Sequence, residues 1–104
     1  MARPDPMTRL LEPDEAVEVV AHARTHRVVV TNRRLAVADE HRVALHVPYP
    51  ALRRIQFDIE RDRPATLVIV PEQPHDEPQV LAVAPEQYDE VAKALVLIGR
   101  RLVV

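Results

Sequence analysis

The sequence predicts a mainly-β domain, a barrel of about seven short antiparallel strands capped by one C-terminal α-helix. Two observations carry that reading. From Val17 to Ala84 the apolar residues recur with a period of two, in short runs broken by polar and proline-containing turns. From Pro85 onward the period changes to three and four. A sheet with one apolar face and a helix with one apolar stripe each need covering, and laying one on the other covers both.

The elements follow in order. Pro4, Pro6 and Pro13 mark residues 1–12 as a poorly ordered lead with at most a helical turn around Met7 to Leu11, and residues 13–104 as a single domain. Val17, Val19 and Ala21 alternate with Glu18, Val20 and His22, the pattern of a half-buried strand. Val28-Val29-Val30 is β-branched and too short for a helix. Asn32-Arg33 reads as a two-residue turn in which Asn takes the left-handed region, returning the chain through Leu35 and Val37. Val43, Leu45 and Val47 form the next strand, which Pro48 stops. Tyr49 to Leu52 is a corner. Beyond it Ile55, Phe57 and Ile59 face one way, into the same core as Val43, Leu45 and Val47, while Arg54, Gln56, Asp58 and Glu60 face the other. Thr66 to Val70 is apolar on both faces, Pro71 to Pro78 is a polar loop, and Val80 to Ala84 is the last strand.

Pro85 suits the first position of the helix, with Glu86, Asp89 and Glu90 at its positive end and Arg100 and Arg101 at its negative end. Its inner stripe is expected at Tyr88, Val91, Leu95, Ile98 and Leu102.

Composition limits the chemistry. The chain of 104 residues has a hydrophobic fraction of 47%, but only 3% aromatic residues, so Val, Leu, Ile and Ala build its core. Absence of cysteine excludes disulfides, thiolate metal sites and cysteine nucleophiles. Serine is absent too, and the one glycine, Gly99, falls inside the helix, so neither a phosphate-cradling glycine loop nor a nucleophile elbow is available. These features predict a protein that is not an enzyme and carries no cofactor. The net charge of −2 argues against a nucleic-acid partner, and no apolar run is long enough to span a bilayer. The N-terminus has no apolar signal core, so the expected location is cytoplasmic.

Charge is unevenly spread. From His22 to Arg63 there are nine arginines against five acids, whereas from Pro64 to Gly99 one lysine stands against six acids. His22 and His26 are four apart, but the arginines around them oppose a metal dication. Asp58, Glu60 and Asp62 have Arg54, Arg61 and Arg63 for neighbours and read as a solvated, salt-bridged face.

The stretch Val28 to Glu60, VVVTNRRLAVADEHRVALHVPYPALRRIQFDIE, resembles the bacterial pleckstrin-homology-like domains. A strand ending in Thr31-Asn32 is followed by one opening with a basic residue and Leu35. A strand stopped near a proline then precedes the Leu52-Arg53-Arg54-Ile55 strand. The resemblance runs from about Leu11 to Leu102 and implies a barrel closed by a C-terminal helix.

It also implies where function would lie. In lipid-binding pleckstrin-homology domains, basic residues around the first hairpin loop hold an inositol phosphate head group. Arg24, Arg27, Arg33 and Arg34 are the candidates for an anion site of that kind, although no lysine is present there and the family's phosphoinositide motif is not reproduced residue by residue. The second candidate surface is apolar. Val96, Leu97, Val103 and Val104 lie off the inner helix stripe and suit an interface with a protein partner or a second copy. The sequence therefore predicts a non-catalytic interaction module for protein recruitment or self-assembly. The alternative is a peripheral membrane adaptor that binds anionic lipid or phosphate through the basic hairpin loop.

Overall fold

A computed structural model of the chain describes residues 5–102. It contains α1 (Pro6–Leu10), seven strands, and α2 (Tyr88–Leu102). The strands are β1 (Val17–His22), β2 (Arg27–Thr31), β3 (Arg34–Ala38), β4 (Val43–Pro48), β5 (Leu52–Asp58), β6 (Ala65–Pro71) and β7 (Gln79–Val83). All pairings are antiparallel between consecutive strands, as the short turns require.

The expected barrel does not close. The strands form two open sheets, β1-β2-β3-β4 (sheet A) and β5-β6-β7 (sheet B). Pro48 ends β4, and a single 3-10 turn at Tyr49–Ala51 with Pro50 inside it redirects the chain, so β5 starts a new sheet instead of pairing with β4. One isolated backbone bond bridges the sheets, from Arg24 N to Ala82 O (2.9 Å), while the bond from Glu72 N to Ala51 O (2.8 Å) extends the β5–β6 pairing past Leu52 and Pro71. Helix α2 packs against β1, β2 and the Tyr49–Ala51 turn.

The inner faces of both sheets and the inner face of α2 share one core. Val28, Val30, Leu35, Val37, Leu45 and Val47 meet Leu67, Ile69, Leu81 and Val83 there, together with Val91, Ala94 and Ile98. The helix stripe thus includes Ala94, while Leu102 at its end is exposed. Gln87 anchors the start of α2. Its side-chain oxygen accepts from the Ala84 amide (3.0 Å) and its nitrogen donates to the Ala23 carbonyl (3.2 Å).

The other face of sheet A has a small core of its own. Met7 of α1 is buried with Val29, Ala36 and Ala38, flanked by Leu10, Leu11 and Val43. That explains why β2 and β3 are apolar on both faces. It also corrects the expected position of Val43. Val37 pairs with Leu45 but Ala38 pairs with Val43, and this bulge turns Val43 away from Leu45 and Val47 to the α1 side. Ile59 departs from expectation as well. Strand β5 ends at Asp58, so Ile59 falls beyond the pairing and is 60% exposed, whereas Ile55 and Phe57 pack on the main core.

The Asn32-Arg33 turn forms where expected but without a left-handed residue, since no described residue has a positive φ. The Thr31 hydroxyl supports it, accepting from the amides of Arg33 (3.0 Å) and Arg34 (2.9 Å).

Candidate functional site

The four arginines proposed as an anion site lie at opposite ends of β2. Arg24 and Arg27 flank the β1–β2 loop, while Arg33 and Arg34 sit at the β2–β3 turn. At about 3.3 Å per residue, the five-residue strand holds the two pairs roughly 15 Å apart, too far for one small anion to span.

Their partners differ as well. Arg34 is largely buried and grips Glu15 with two parallel bonds, Nε to Oε2 at 3.0 Å and an Nη to Oε1 at 2.9 Å. The Glu15 side chain is shut off from solvent. Burial raises the pKa of this carboxyl, but bonds from the Thr31 hydroxyl, the Glu12 amide and Arg34 outweigh burial and hold it below the ordinary value. Arg33 pairs with Asp14, and Arg27 with Asp5. Arg24 is exposed and forms no side-chain ion pair or hydrogen bond among the described residues.

The cleft beside the β1–β2 loop is lined by His22, Arg24, Thr25, His26 and Arg27 on one side and by Asp39 and Glu40 on the other. His22 Nδ1 lies 3.2 Å from Glu90, and His26 Nδ1 lies 2.8 Å from the Thr25 hydroxyl, so the two histidines have separate partners. Asp39 accepts from the amides of His41 (2.7 Å) and Arg42 (2.8 Å), which hold its carboxyl below the ordinary value and keep a negative charge at the cleft. No group of three or more His, Asp or Glu side chains is placed to hold a metal among the described residues.

A second surface lies between α2 and the edge strand β1. It is an apolar groove lined by Val19, Ala92, Val96 and Leu97, with Lys93 and Arg100 at its borders. Val96 is 57% exposed and Leu97 is half-buried against the main core, so Leu97 forms the floor and Val96 the rim. Val103 and Val104 lie outside the described residues. The groove is pinned at both ends, by Arg101 paired with Glu18 and by Glu90 paired with His22. Neither Lys93 nor Arg100 has an ion-pair partner among the described residues.

The sequence reading missed Lys93 and Arg100 as members of this surface. Their spacing of seven, with Val96 between them, places all three on one face of a helix and was available as a signal. Val19 was not available, because only the packing of α2 on β1 brings it there.

Two open antiparallel sheets of four and three strands with a C-terminal helix packed on β1 define a class of small mainly-β domains. The chain has the pleckstrin-homology-like fold. It is similar to the crystal structure of a pleckstrin homology domain from Shewanella amazonensis SB2B, with a TM-score of 0.68 and 20% sequence identity, over 94% of this chain and 93% of that one. The sequence matches no family model and no curated protein. Among the described residues, no helix is long and apolar enough to cross a membrane.

Proposed function

We propose that this domain is a non-catalytic recruitment module that docks a segment of another protein in the groove between α2 and β1. The observation that carries the reading is the exposed apolar rim at Val96 and Ala92 over the half-buried Leu97 and Val19, bordered by two cations with no ion-pair partner among the described residues. A segment with one or two apolar side chains flanked by carboxylates would complement it in shape and charge. The pleckstrin-homology-like fold supports an interaction role in general, and a cytoplasmic setting suits a chain without cysteine.

An array of peptides pairing apolar and acidic residues, read by fluorescence polarisation, tests the reading. Binding should weaken at least tenfold in Val96→Glu and in Lys93→Glu, and should fall as salt rises. An array in which no peptide distinguishes the wild type from either variant would refute it.

One observation favours a second reading, anion or anionic-lipid binding at the β1–β2 loop: Arg24 projects there without a carboxylate partner. Sedimentation with anionic vesicles should then pull down the wild type but not Arg24→Glu. Vesicles that leave both in the supernatant exclude it.

A further inference from the structure

The two sheets treat their outer faces differently. Sheet A is covered by α1, whereas nothing among the described residues covers sheet B. Because Ile55, Phe57, Leu67, Ile69, Leu81 and Val83 point into the core, their alternates point outward. The pairing register orders those outward residues in rows across the sheet. Gln56, Val68 and Val80 form the middle row, with Arg54 and Val70 on one side and Asp58, Thr66 and Ala82 on the other. Val80 is 67% exposed, the highest value among the exposed large hydrophobic residues described.

The charges on this face complement a copy of itself. Arg54 and Asp58 stand two residues either side of Gln56 on the same strand. Arg54 has no ion-pair partner among the described residues. Asp58 is held by the Gln56 side-chain amide, which donates to its two oxygens at 3.0 and 2.8 Å. A twofold axis lying in the interface and running across the strands, through the middle row, turns one face over onto another. It keeps β5 over β5 and β7 over β7 while reversing the strand direction. Arg54 of each copy then meets Asp58 of the other, and Val68 and Val80 meet their own equivalents.

We propose that sheet B is an isologous dimer interface, with Val68 and Val80 at its centre and two reciprocal Arg54–Asp58 pairs at its ends. Arg54 gains the partner it lacks, and Val80 leaves water. A face of three short strands is well below the ~800 Å² per partner of a standard stable interface, so the dimer is weak and forms in the upper micromolar range. This surface is distinct from the α2–β1 groove, and either can exist without the other.

Sedimentation equilibrium of the full chain decides the matter, using Arg54→Asp, Asp58→Arg and the double swap, all at exposed positions whose thermal melts confirm folding. Each single reversal places like charges at both ends and should weaken the dimer at least tenfold, while the double swap should return it to within about threefold of the wild type. Mixing the two single variants should restore association, because one then carries two acids and the other two arginines along β5. Val80→Asp should abolish association. A wild type that stays monomeric up to about 1 mM overturns the proposal. So does a dimer that is indifferent to these substitutions, or a mixture that fails to associate when the wild type does.

Discussion

The most demanding residue in this protein is Glu15. It is out of contact with solvent, yet it stays ionised because Thr31, the Glu12 amide and Arg34 all donate to it. Its pKa lies below the ordinary 4.5, so the folded state binds this proton less readily than the unfolded chain does. Its stabilisation is therefore complete above about pH 4.5 and is lost as the pH falls through the lower folded value. Urea denaturation between pH 7 and pH 3 should show that loss, and Glu15→Ala should flatten it. The same variant leaves Arg34 without its main partner and should cost about 3 kcal/mol at pH 7, the lower end of the range for breaking a buried pair.

Tyr49 works at the same turn in the opposite sense. Its hydroxyl donates to the carbonyl oxygens of Thr31 and Arg34, at 2.5 and 3.0 Å, and burial pushes its pKa up to about 12. The unfolded chain ionises this phenol near pH 10, before the folded state does, so stability falls as the pH rises from about 10 to 12. Tyr49→Phe should remove that alkaline loss, and should cost about 1 kcal/mol at neutral pH for the lost hydrogen bonds. Chemical denaturation across the alkaline range checks both outcomes.

At the scale of elements, α1 and α2 make opposite predictions. Helix α1 has five residues and no stability of its own, so its single buried side chain, Met7, holds it on sheet A. Met7→Ala should cost about 2–3 kcal/mol, the lower part of the range for truncating a buried methionine. It should also speed amide exchange at Leu10 and Leu11, as followed by hydrogen–deuterium exchange. Helix α2 contains Gly99, where an added Cβ would meet nothing within 4 Å. Gly99→Ala should therefore raise stability by about 1 kcal/mol, the difference in helix propensity, visible as a higher thermal midpoint. The helix itself was legible from its three-and-four spacing and its charged ends. That it lies mainly on β1 was not, because periodicity defines a face without saying which strand of the sheet covers it.

At the scale of the molecule, the two sheets are joined by the Tyr49–Ala51 turn, the backbone bond from Arg24 to Ala82 and a shared apolar core. Strand β6 is the centre of sheet B, and β2 and β3 are the centre of sheet A. Amides of Val30, Val37, Leu67 and Ile69 should exchange only with global unfolding, and those on β4 and β5 should exchange sooner through local opening. The groove between α2 and β1, and the outer face of sheet B that no described residue covers, both follow from how the sheets and the helix meet. They could not be read from any one strand.

The sequence by itself determined the order and type of the seven strands and the C-terminal helix. A strand's alternation, a helix's spacing and a proline's missing amide are local properties that any window of the chain displays. It also determined the likeness to pleckstrin-homology domains and the scarcity of groups for covalent chemistry. Only the tertiary structure decided that the barrel stays open, that Val43 turns away from Leu45, and that Arg34 belongs to Glu15. Each depends on a pairing between residues distant in the chain, where a one-residue bulge or a proline-bearing turn selects among partners that the local pattern leaves equivalent.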